Sequence, residues 1–137
     1  MTAKEFLRSV RGIDRRIRES EERAARVRAR LESGRRSALS GMPRGGSKDW
    51  TETSDALVDF ERCVNRLTRE MAALKSAALY AIAEIDDPRL REVLELYYID
   101  GRTWDEVAGG MDADRRWVLR LHGRALGKFR VPYPFDH

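Results

Sequence analysis

The chain has 137 residues, 36% of them charged and 8% aromatic, with a formal net charge of only +4. That length leaves room for one small domain plus an extension, and the composition favours helices with solvated faces over a thick core. One cysteine, Cys63, excludes a disulfide framework and a Cys-based metal site, and no apolar run is long enough to span a bilayer.

The N-terminus is polar and charged, without the apolar core of a signal peptide, so a reduced cytoplasm is the expected setting. Phe6, Val10, Ile13, Ile17, Ser20, Ala24, Val27 and Leu31 alternate steps of four and three. This is a heptad seam, weakest at Ser20 and Ala24, and it predicts one long helix. The stretch 33–54 is rich in Gly, Ser, Arg and Pro and reads as a loop. Within it, Ser40–Gly46 reads equally well as a hinge or as a docking segment, with Met42 and Pro43 flanked by glycines. Leu57, Phe60, Val64, Leu67, Met71, Leu74, Ala78, Ala81 and Ile85 form a second seam. The first helix is mostly basic and the second mostly acidic. Opposite charge favours their pairing with each other, which predicts a coiled-coil-like antiparallel hairpin over residues 1–86. Self-association of such hairpins stays open.

A different pattern follows. Asp86-Asp87-Pro88 is a helix start, since acids cap and Pro suits the first turn. Val93, Leu94, Leu96 and Tyr97 make a short apolar helix that Asp100-Gly101 breaks. Thr103 and Glu106 fit a capping box, and Val107, Ala108 and Met111 are the buried stripe of the next helix. Asp114 caps a third helix, expected from about Arg115 to Arg130. Val118, Leu121, Ala125 and Phe129 share one of its faces. Three helices at this spacing read as a helix–turn–helix domain over 87–130, with 131–137 as a tail.

The third helix carries Arg115, Arg116, Arg120, Arg124, Lys128 and Arg130, and no acid at all. A helix of one charge repels itself unless a polyanion lies against it, so the first five are the candidate DNA contacts. Gly123 and Gly127 on the outer face suit close approach of backbone to a groove wall. Trp117 and Trp104 read as packing residues. The Arg-rich stretch between Arg15 and Arg36 reads as a solvated face, because acids interleave it. Little suggests catalysis. Only His122 and His137 exist, Cys63 has no evident base, and Gly45-Gly46 lacks the continuation of a phosphate-binding loop. No cofactor or metal is expected.

Arg91-Glu92-Val93-Leu94, Leu96, Tyr98, Asp100-Gly101, Thr103-Trp104 and Glu106-Val107-Ala108 resemble the promoter-reading C-terminal domain of bacterial sigma factors. The resemblance covers the last third of the chain. It implies that the last helix enters the major groove and that Arg115, Arg116, Arg120 and Arg124 face DNA. The run from Arg115 to Leu126, together with Ser40 to Gly46, is similar to small phage- and prophage-encoded regulators with a sigma-like C-terminus. This second resemblance implies RNA polymerase as a partner and activation of phage late genes in a bacterial host. The melting domain of sigma factors has no counterpart here.

The sequence therefore predicts an all-α protein: a long helical hairpin followed by a sigma-like helix–turn–helix that binds double-stranded DNA in transcription control, without enzymatic activity. The rivals are a DNA-packaging protein like a small terminase subunit and a helical interaction module that binds no DNA.

Overall fold

The computed structural model describes all residues except 41–45; for residues 35, 37–40 and 46–54 it describes the backbone alone. Six helices make up the described chain: α1 (Ala3–Val10), α2 (Ile13–Ser40), α3 (Gly46–Ala83), α4 (Pro88–Leu94), α5 (Trp104–Gly110) and α6 (Arg115–Lys128). A π-helical turn, Glu95–Ile99, continues α4. No strand occurs among the described residues, and none of the helices is long and apolar enough to cross a membrane.

The chain forms two compact units, Met1–Arg16 with Met71–His137, and Ile17–Glu70. The N-terminal residues thus belong with the C-terminal half of the chain, a division unlike the boundary expected near residue 86. In the first unit α1 is held by a capping box. The Thr2 hydroxyl accepts from the Glu5 amide at 3.1 Å, and the Glu5 carboxylate accepts from the Thr2 amide at 3.0 Å. Phe6, Leu7 and Val10 are wholly buried. Phe6 stacks on Phe129 at 5.9 Å between ring centroids and meets Phe135 at 5.4 Å, so residues of the expected tail close over α1.

The single N-terminal helix predicted by the seam is broken. Arg11 and Gly12 separate α1 from α2, and Gly12 has φ +67°. The heptad steps run straight across this break because Val10 and Ile13 are both buried, each in a different helix. The corner docks on the segment that ends the π turn. The Gly12 amide donates to the Tyr98 carbonyl at 3.0 Å, and the Arg11 guanidinium donates to the carbonyls of Gly101 (3.4 Å) and Arg102 (3.1 Å). Gly101 has φ +73°, and a Cβ there would lie 3.0 Å from the Gly12 Cα. Two glycine backbones therefore meet where side chains would hold them apart.

After α3, Ile85 is buried although it lies past the helix end. The Arg91 guanidinium caps this joint by donating to the carbonyls of Ile85 and Asp86. The Asp87 carboxylate accepts from the Arg89 amide at 2.9 Å, and that bond holds its pKa below the usual range. The Asp100 amide reaches the Glu95 carbonyl at 2.9 Å, five residues back. Tyr98 and Ile99, at the end of that widened turn, are both buried.

In the second unit Arg28 pairs with Glu61, with 3.0 Å between Nη2 and Oε2. Each holds the other in its charged form. Ala24 is buried, while Val27, Leu31, Phe60 and Val64 are half-buried, as expected of a thin seam. Leu67, assigned to the second seam, is instead 44% exposed, and Thr68 is the more buried of the two. A straight α-helix turns 3.6 residues per turn and drifts off a 3.5-residue seam.

The expected loop over 33–54 is also corrected. Helix α2 continues to Ser40 and α3 starts at Gly46. The Gly and Ser content argued for a break, yet Gly costs an exposed helix only about 1 kcal/mol, and Arg, Ala and Leu offset it here. The sole proline of the stretch is Pro43, outside the described residues. The Ser40–Gly46 reading, hinge or docking segment, falls on 41–45 and so lies outside the described residues.

Two stability tests follow. Gly101→Ala should lower the urea midpoint clearly more than Gly12→Ala. Both pay a left-handed backbone cost of about 1–2 kcal/mol, but only residue 101 also drives a Cβ into opposing backbone; equal effects would mean that the close approach is dispensable. Ile13→Asp, at a wholly buried position, should unfold the first unit, whereas Leu67→Asp should shift the thermal midpoint by little.

Candidate nucleic-acid interface

Helix α6 is fixed on one side and open on the other. The Asp114 carboxylate accepts from the Trp117 amide at 2.8 Å and starts the helix. The turn before it uses Asp112 at φ 52°, a conformation Asp tolerates. Val118, Leu121 and Ala125 are wholly buried, and α6 packs most extensively on α4 and α5. Val107, Ala108 and Val118 share one cluster, with Trp104 and Met111 at its edge. The helix ends at Lys128, so Phe129 is buried as the cap residue and Arg130 lies beyond the helix.

An aromatic group braces the inner edge. Tyr97 stacks on Trp104 with ring centroids 3.8 Å apart and planes 9° from parallel. The Arg11 guanidinium lies 4.0 Å from the Tyr97 centroid, a cation–π contact. Trp104 meets the His122 ring edgewise at 4.7 Å, and the Tyr98 hydroxyl is hydrogen-bonded to His122 Nε2 at 2.7 Å. Burial pushes the His122 pKa down to about 4, with the charge of Lys4 adding to it, and pushes the Tyr98 phenol up to about 12. His122 is therefore a neutral packing partner at neutral pH. Trp104, read as a packing residue, packs here, while Trp117 is half-buried with Arg89 of α4 beside its ring.

On the outer side Arg115, Arg116, Arg120, Arg124 and Lys128 are all exposed, as are Gly123 and Gly127. They are not equivalent. Arg115 lies 3.5 Å from Asp105, in a pair whose side chains are 59% and 79% exposed. Such a surface pair contributes little and does not hold Arg115 back. Arg116 and Arg120 make no ion pair with any described residue. Arg124, Lys128 and Arg130 line one wall of a groove of about 690 Å³, while Glu84, Asp86 and Asp87 line it too. An anion approaching that end of α6 meets both signs of charge; at the other end the cap Asp114 lines the same depression as Arg115 and Arg116.

Arg89 was not singled out from the sequence. Its guanidinium carbon stands 5.9 Å from the Trp117 ring centroid, and that of Arg124 stands 5.8 Å away. The only signal available was its place two residues after the Asp87 cap, which puts it on the helix that α6 packs against.

No three His, Cys, Asp or Glu side chains among the described residues are grouped to hold a metal ion, and Cys63 is a free, exposed thiol. No protein-family profile, no curated protein and no solved structure matches the chain.

The His122 shift sets a pH dependence. Its folded-state pKa lies below the ordinary value, so between about pH 6.5 and about pH 4 the unfolded chain binds more protons. Stability is full above this window and falls as pH drops through it, by roughly 3 kcal/mol at most and less because the half-exposed ring is screened. The thermal midpoint should fall on acidification from pH 7 to pH 4. His122→Gln, which keeps a partner for Tyr98 but does not titrate, should flatten that part of the profile.

Proposed function

We propose that this chain is a sequence-directed DNA-binding transcription regulator. In this reading α4, α5 and α6 form a sigma-like helix–turn–helix, and α2 and α3 pair as an antiparallel hairpin that spaces it from partners. The reading includes action on phage genes through host RNA polymerase, and that part rests on the resemblance of residues 91–126 and 40–46 alone.

The observation that carries the proposal is the division of α6. Val118, Leu121 and Ala125 anchor it inward, and the outward face from Arg115 to Lys128 holds exposed cations without one acid. Folding does not require those cations, and self-repulsion disfavours them unless a polyanion lies against them. The hairpin is supported by two ion pairs, Asp14 with Lys75 and Arg28 with Glu61. A later residue on α2 meets an earlier one on α3, which is antiparallel pairing.

On this reading Arg116 and Arg120 reach guanine edges in the major groove, since they lie in the first half of α6 and have no acidic partner among the described residues. Arg124 holds phosphate, and Arg115 and Lys128 flank the contact. Exchange of Arg116 or Arg120 for Ala should leave the thermal midpoint almost unchanged. It should cost about 1–3 kcal/mol of binding to a selected site and relax preference at one base pair. Sites selected from random duplexes, followed by titration at fixed salt, provide the measurement. If the double variant binds as tightly as the parent, α6 is not the reading helix and the interaction-module reading takes its place.

A further inference from the structure

We infer that Arg89 and Arg124, both set against the Trp117 ring, form a two-guanidinium clamp for one phosphate of a nucleic-acid backbone. The inference rests on the DNA-binding reading and adds to it a contact from outside α6. Trp117 is half-buried, starts two turns before Arg124 on α6, and lies near Arg89 of α4. The two guanidinium carbons stand 5.9 and 5.8 Å from its centroid, within the range of a cation–π contact.

Two cations converging on one neutral ring repel each other, and the ring offsets only part of that. An anion between them removes the penalty. Guanidinium forks match phosphate oxygens geometrically and are weakly hydrated, so the match is to phosphate rather than to a point anion. The Arg89 side chain is 56% exposed, open enough to be reached. Its one ion pair, to Asp87, is long at 3.6 Å and lies on the surface, where such pairs contribute little. A half-buried ring with both arginines set against it also fixes where the phosphate must sit, and with it the rotation of α6 in a groove. Arg89 reads no base in this arrangement; it positions the helix that does.

The test uses the full chain and mixed-sequence duplex DNA, because a phosphate contact is indifferent to sequence. Binding is followed by fluorescence anisotropy between about 50 and 200 mM salt. Arg89→Ala should weaken binding and reduce the slope of log affinity against log salt by about 1, and Arg124→Ala should do the same. Arg89→Lys should restore the slope but not the full affinity, since it keeps the charge and loses the fork. Trp117→Leu should weaken binding with little change of slope, because it removes the brace and no charge. Should that variant fail to fold, the surface Arg89 variants still decide the matter. If Arg89→Ala keeps the parent's affinity and slope while Arg116→Ala and Arg120→Ala lose binding, the clamp is wrong and the reading of α6 stands. If the parent itself binds no duplex, both fall.

Discussion

The contact on which the rest of the first unit depends is the meeting of Gly12 with Gly101. Besides the packing of Phe6 on Phe129 and Phe135, the ties between the N-terminal segment and the C-terminal helices radiate from it. The Gly12 amide satisfies the Tyr98 carbonyl, the adjacent Arg11 covers the Tyr97 ring, and Tyr97 in turn lies flat on Trp104. Trp104 and Tyr98 both touch His122 of α6. A chain of packed groups thus runs from the corner between α1 and α2 to the helix that carries the exposed arginines. Replacing the glycine contact with side chains would lengthen the first link, and a close-packed interior transmits such strain.

That corner was also the least legible part of the sequence. Gly12 lies inside a heptad pattern that is continuous in apolar spacing, and Val10 and Ile13 satisfy it on either side of a break. The signal of a left-handed glycine cannot outweigh seven correctly spaced residues unless its partner, Gly101, is known to approach it across 89 positions of chain. Leu67 failed for the related reason that a seven-residue count slowly departs from a real helix. In contrast Thr103 with Glu106, Asp87 before Pro88, and Asp114 were all readable, because a cap acts over three residues and needs no tertiary context. The inner face of α6 was readable as well, since burial at helical spacing is local. Arg89 beside Trp117 was not, since it depends on how α4 crosses α6.

Charge in this protein is informative by arrangement rather than by total. The C-terminal end of α6 shares its groove with Glu84, Asp86 and Asp87, whereas at the N-terminal end Arg115 pairs with Asp105 and the cap Asp114 sits beside Arg115 and Arg116. A polyanion laid along the helix would meet acids at both ends, with Arg120, which is ion-paired to no described residue, between them.

Residues 17–70 are inserted in sequence between the two halves of the first unit. During synthesis Phe6 emerges more than a hundred residues before Phe129 and Phe135, the rings that cover it. Until then α1 has an apolar face and nothing to bury it against. The first unit must close this long connection before its N-terminal contacts contribute, and loop closure of that kind slows folding even in an all-helical chain. Helices α2 and α3 need not wait for the last residues, because Arg28 and Glu61 lie only 33 positions apart. Nascent chains should thus acquire their long helices early and their N-terminal order last, which makes the opening residues the segment most exposed to proteases and chaperones while translation is under way.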